Sequence, residues 1–156
     1  MTTSASFKIV DRLAEALLQT RSDAILATDR NGIVEFWNPG AERIFGFSAA
    51  EAVGRSLDII IPENLHGRHW EGWAHVIGET RYGAGELLSV PAMTADGRRI
   101  SVEFTIVMLR DVDENVVGLA AILRDVTRRF EELRSLKRQL ASRSHPPDDE
   151  RASERS

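Results

Sequence analysis

The chain has 156 residues, 42% of them hydrophobic and 28% charged, with a net charge of −4 and no cysteine. That length carries one domain with a proper core plus terminal extensions. Mild acidity speaks against nucleic acid as a direct partner, no run reaches the roughly 18 apolar residues of a membrane span, and no apolar signal core opens the chain, so a cytoplasmic protein is expected. The lack of cysteine removes disulfides, thiolate nucleophiles, iron–sulfur clusters and zinc ribbons.

Phe7, Val10, Leu13 or Ala14, Leu17 and Leu18 recur at helical spacing after a Ser6 cap. Residues 1–22 therefore read as an amphipathic helix whose apolar face packs on the domain or meets a second copy. From Asp23 the pattern shortens to strands. AILATD, a turn at Arg30-Asn31-Gly32 and IVEFWN form a hairpin. Asn38 before Pro39 opens a helix in PGAERIFGF, Ser48 caps AAEAVG with Glu51 in capping-box position, and Ser56 opens LDIII.

Pro62 then leads into a short helix carrying His66, His69 and His75 with Trp70 and Trp73. Helical spacing puts Leu65, His69, Trp73, Val76 and Ile77 on one stripe that is apolar except for the imidazole. His66 joins that side if the helix starts early, His75 is turned well away, and Trp70 points elsewhere, toward a partner. A neutral imidazole directed at an apolar interior either satisfies a hydrogen bond or binds a metal, haem iron among them; these residues leave both open.

After a flexible link at Tyr82-Gly83-Ala84-Gly85, ELLSVPAM and RRISVEFTIVML alternate as strands around Asp96-Gly97, with Pro91 marking an edge or a bulge. A turn at Asp113, Glu114 and Asn115 precedes a last strand, VVGLAAILRDV. Helix resumes in VTRRFEELRSLKRQL, where Val126, Phe130, Leu133 and Leu140 stand at heptad-like spacing and Lys137 interrupts the seam. The polar, Pro-rich tail, residues 143–156, reads as disordered. The expected class is α+β: one five-stranded antiparallel sheet with short helices on one face, over residues 23–127, flanked by the N-terminal helix and a C-terminal helix at 128–142. A ligand has room between sheet and helices. No Ser, His and acid set has the spacing of a nucleophile with its base, so no enzymatic activity is expected.

DRNGIVEFWNPGAERIFGFSAAEAVGRSL, ADGRRISVEFTI and GLAAILRDVT together resemble a PAS domain, a sensory and dimerisation module of bacterial signalling. The likeness covers about Asp23 to Thr127. It implies that Arg124-Asp125-Val126-Thr127 lies where the last strand passes into the outgoing helix, with Asp125 and Thr127 as relay residues. The light-sensing flavin branch requires a cysteine that is absent here. IPENLHGRHWEGWAH is similar to haem-bearing PAS domains of bacterial oxygen sensors, in which a proline opens this helix and the axial histidine follows as His69 follows Pro62.

That resemblance implies a b-type haem held by His69, with His66 and His75 as fallback ligands. Trp73 and Ile77 would share its side, and Leu88, Phe104, Ile106 and Leu123 would line the pocket. Leu88 and Glu86 stand where such sensors carry a distal arginine or methionine, so Arg81, Tyr82 or Glu86 would have to supply a hydrogen bond to oxygen. Arg55, Arg68 and Arg81 are candidates for the propionates. The implied function is a PAS sensor of a diatomic gas (oxygen, carbon monoxide or nitric oxide) or of redox state, acting as a homodimer on a separate signalling protein. Two other readings stand beside it: a ligand-free PAS module for dimerisation and partner docking, and a flavin-binding redox sensor.

Overall fold

The computed structural model describes residues 3–78 and 87–143, with side chains from residue 8 onward. The link at 82–85, the three distal candidates Arg81, Tyr82 and Glu86, and the tail from residue 144 lie outside the described residues. The chain divides into two compact units at Asp125/Val126.

In the first unit, α1 (Thr3–Leu18) starts three residues before the expected Ser6 cap. β1 (Ala24–Asp29) and β2 (Val34–Trp37) follow, then α2 (Pro39–Phe45), α3 (Ala49–Ala52), 3-10 turns at Leu57–Ile60 and Glu63–Leu65, and α4 (His66–Gly78). β3 (Leu88–Met93), β4 (Arg99–Arg110) and β5 (Val116–Asp125) complete it. The five strands form one antiparallel sheet in the order β2-β1-β5-β4-β3, so the last strand lies in the middle beside the first. This is the expected α+β arrangement. Pro91 sits on the edge strand β3 and keeps regular register, opposite Ser101. A ladder that needs hydrogen bonds from one side only tolerates a residue without an N–H.

One device closes all three hairpins. In each, a polar residue starts the loop and receives the amide hydrogen bonds of the turn, and a left-handed residue ends it. Asp29 Oδ1 accepts from Asn31 and Ile33 N–H, Thr94 Oγ1 from Arg98 N–H, and Asp111 Oδ1 from Asp113 and Asn115 N–H. The left-handed residues are Gly32 (φ 78°), Gly97 (φ 81°) and Glu114 (φ 66°). The first two follow the Asn-Gly and Asp-Gly signals in the sequence; the third places a glutamate where glycine is favoured.

Caps stop and start the short helices as their sequences require. Asn38 is 1% exposed. Its Oδ1 accepts from Ala41 N–H and Ile25 N–H, both at 2.8 Å, while its amide donates to the Thr20 and Asp23 carbonyls at 3.1 Å. It therefore ties α2 to the start of β1 as well as capping it. Ser48 caps α3 through Glu51 N–H, but the Glu51 carboxylate accepts from the Ser48 hydroxyl, so the reciprocal arm of a capping box is replaced.

Strand alternation assigns the inner face. Ala24, Leu26 and Thr28 pair with Leu123, Ala121 and Leu119, and the same row continues through Phe104, Ile106 and Met108 on β4. Against the β1 end of this face pack Trp37, Ile44, Phe45, Leu57 and Ile60. Phe45 is fully buried beside Trp37, whose indole donates to the Phe47 carbonyl at 3.0 Å. Truncating such a ring costs about 3–5 kcal/mol. Beyond β2, backbone bonds from residues 54–57 to residues 32 and 34 cover that edge.

The second unit is α5 (Thr127–Arg143), one residue longer at each end than expected. Phe130, Leu133, Leu136 and Leu140 are 45–67% exposed. Leu136 supplies an apolar residue beside Lys137, where the heptad reading saw only a break.

Candidate functional site

α4 presents a stripe of side chains inward: His66, His69, Trp70, Trp73 and Ile77 are half-buried, Val76 is buried, and Arg68 and His75 lie on the exposed side. The expected stripe holds from His69 to Ile77, while Leu65 belongs to the preceding 3-10 turn. Trp70 departs from its expected role toward a partner. Its ring lies over Gly32, so close that a Cβ there would come within 2.3 Å of Cη2, and its indole N–H donates to Asp58 Oδ1 at 2.8 Å. The reason is tertiary. α4 runs past the β1–β2 turn, and the side chain one position beyond His69 meets that turn instead of solvent.

The other polar contacts follow the same geometry. Trp73 Nε1 donates to the Arg30 carbonyl at 2.9 Å, and His66 Nε2 donates to the Ile61 carbonyl at 2.8 Å. His66 thus has Nε2 committed to backbone, which leaves Nδ1 as its remaining ring nitrogen. The His69 ring stands edge-on to Trp70, with centroids 4.7 Å apart, and 5.9 Å from Trp73. Its Nδ1 is buried without a hydrogen-bond partner, the one such side-chain atom among the described residues. Burial pushes the His69 pKa below 6.5; the Asp58 carboxylate opposes this and His66 adds to it. At neutral pH the ring is therefore an uncharged imidazole in a largely apolar setting, the protonation state that a metal needs.

The candidate wall residues lie on the sheet. Leu88, Phe104 and Leu123 are aligned across β3, β4 and β5, and Ile106 lies two residues along β4 opposite Ala121. Leu123 is buried, whereas Leu88, Phe104 and Ile106 keep part of their surface exposed. Trp73 and Phe104 both pack against the same core. A planar, mostly apolar group with one nitrogen-seeking metal suits this donor set: an unpartnered neutral imidazole beside two indoles.

Arg55 lies 5.8 Å over the Phe47 ring. An open depression of about 620 Å³ is lined by Pro62, Glu63, Asn64, Met93 and Arg99, and His69 is not among its lining residues. Asp125 ends β5 opposite Val102, and Thr127 starts α5, so both stand at the boundary of the two units. The contact roles of Asp58 and Arg30 were not legible in the sequence. Nothing in their spacing marks them, since each acts through a contact made only after α4 and the first hairpin meet. Gly32 was legible as a turn residue and not as the seat of an indole.

Comparison with known proteins gives three findings. The family model described as the PAS fold matches residues 12–126. Among curated proteins, the chain is 39% identical over 54 residues to the sensor protein FixL of Bradyrhizobium diazoefficiens, covering 35% of this chain and 11% of that protein. It is 37% identical over 60 residues to the oxygen sensor protein DosP of Escherichia coli, covering 38% of this chain and 7% of that protein. Among solved structures, a PAS domain from Colwellia psychrerythraea superposes with a TM-score of 0.66 at 25% identity, over 77% of this chain and 98% of that one.

Proposed function

The chain belongs to the PAS family, and from that premise we propose that it is a sensory domain whose input is a diatomic gas or redox change at a b-type haem held by His69. The observation that carries this is the buried, partnerless Nδ1 of a neutral His69. The partial likeness to a protein named an oxygen sensor supports it. When bound, a haem supplies an iron that takes oxygen, carbon monoxide or nitric oxide as a ligand.

The chain's own residues do the rest. His69 offers the nitrogen donor, and Trp70, fixed by Asp58, together with Trp73 holds its ring in place. Ile77, Leu88, Phe104, Ile106 and Leu123 exclude water. With those five side chains apolar, carbon monoxide and nitric oxide are favoured over oxygen, whose polarised bound form needs a hydrogen bond. Strain in the strands reaches Asp125 and Thr127 and resets α5, which acts on a partner signalling protein. The domain acts without a catalytic step of its own.

A second reading, a ligand-free module for dimerisation and docking, is favoured by the exposed stripes of Ile9, Val10, Leu13 and Leu17 on α1 and of Phe130, Leu133, Leu136 and Leu140 on α5. One absorption spectrum separates the two. Protein supplied with haemin should show a Soret band that His69→Ala abolishes. Colourless protein after ample haemin rejects the haem reading in favour of docking, and a yellow preparation absorbing blue light points to flavin.

A further inference from the structure

Arg30 occupies an unusual position: it is bonded on two sides by elements that do not otherwise share a hydrogen bond described above. Its backbone carbonyl accepts from Trp73 Nε1 of α4 at 2.9 Å, and its own guanidinium donates through Nη1 to the carbonyl of Val116, the first residue of β5, at 2.6 Å. The turn that carries it is stiff. Asp29 Oδ1 holds two of the turn's amides, Gly32 closes it in the left-handed conformation, and the Trp70 ring rests on Gly32. α4 therefore grips this turn twice, through both indoles, and the turn grips β5 once. β5 is the central strand, and its chain runs on into α5 after Val126.

The geometry points to Arg30 as a positioning residue that couples the His69 helix to the start of the output strand. As a route for a ligand signal this rests on the reading of His69 given above; the coupling itself is a property of the cofactor-free protein. A shift of α4 drags the Trp73 indole, the Arg30 carbonyl moves with it, and the guanidinium passes the displacement to Val116. A hydrogen bond with a charged donor transmits such a shift where a chain of apolar contacts would slide.

A double-mutant cycle on the cofactor-free full chain tests this. Trp73→Phe removes the indole N–H and keeps an aromatic ring, and Arg30→Ala removes the guanidinium and keeps the carbonyl. Amide hydrogen exchange is read at residues 116–119, with Ile100 and Val102 as reference amides. Trp73→Phe should speed exchange at 116–119 about fivefold, the factor one net hydrogen bond is worth in an open population, and leave the reference amides alone. In the Arg30→Ala background the same substitution should add less than twofold. An equal acceleration in both backgrounds overturns the coupling, as does acceleration at the reference amides that matches residues 116–119, which marks loss of global stability only. Haemin titration of the unmodified protein reports the other reading separately. Coupled exchange in colourless protein leaves Arg30 standing without haem, and uncoupled exchange in coloured protein does the reverse.

Discussion

Replacing Gly32 by alanine should destabilise the protein far more than the same change at Gly97, although the two backbones are nearly alike. Both residues adopt positive φ, 78° and 81°. A side chain in that conformation costs about 1 kcal/mol, and this cost is common to both. They differ in what the new Cβ meets. At Gly97 nothing lies within 4 Å, whereas at Gly32 it would fall 2.3 Å from Trp70 Cη2 and 2.6 Å from Cζ3. The indole must leave. In doing so it breaks its hydrogen bond to the Asp58 carboxylate and uncovers half-buried ring surface, a further loss of about 2 kcal/mol. Gly32→Ala should therefore cost about 3 kcal/mol and Gly97→Ala about 1 kcal/mol, a difference of about 1 M in the urea midpoint for a slope near 2 kcal/mol/M. Urea titration followed by far-UV circular dichroism measures both. In a Trp70→Leu background Gly32→Ala should cost only about 1 kcal/mol, because the clashing ring and the contacts it would lose are already gone. Equal midpoints for the two single variants, or an excess that survives the loss of Trp70, would refute the packing of α4 on this turn.

Other outcomes follow from the same structure. Glu114→Gly should stabilise by about 0.5–1 kcal/mol, since glycine relieves the left-handed glutamate that closes the β4–β5 turn; a lowered midpoint contradicts this. Asn38→Ala should cost about 3 kcal/mol, because two backbone amides and two carbonyls lose a buried partner at once; a loss under 1 kcal/mol counts against that network. Because the folded pKa of His69 lies below 6.5, the unfolded chain takes up this proton first on acidification. Its contribution is whole above the unfolded value, falls as pH drops through it and levels off below the folded value, with a slope of at most about 1.4 kcal/mol per pH unit. His69→Gln should flatten that part of the stability profile of cofactor-free protein, and an unchanged profile excludes His69 as its source. Thr94→Val should raise the Asp96 pKa, which the Thr94 hydroxyl holds down, as a carboxylate titration by NMR would show.

Local chemistry in the sequence was enough to set the element types and their order. Asn38-Pro39, Ser48 and Ser56 act at the caps where they stand, because a cap needs only its own side chain and the next turn of backbone. Asn31-Gly32 and Asp96-Gly97 close their hairpins for the same reason, whereas Leu88, Phe104, Ile106 and Leu123 were grouped by the family resemblance, and the strand register is what puts them on one face. His69 was likewise visible as the odd polar member of an apolar stripe. What the sequence did not hold was how α4 meets the rest of the domain. Trp70 packing on Gly32, Asp58 accepting its indole, and Arg30 standing between Trp73 and Val116 join residues 12 to 86 positions apart. No local propensity encodes such pairs. They exist only once the sheet has brought the first hairpin beside the last strand, and burial around His69, which keeps its ring neutral and one nitrogen without a partner, arises from that assembly and not from the helix that carries it.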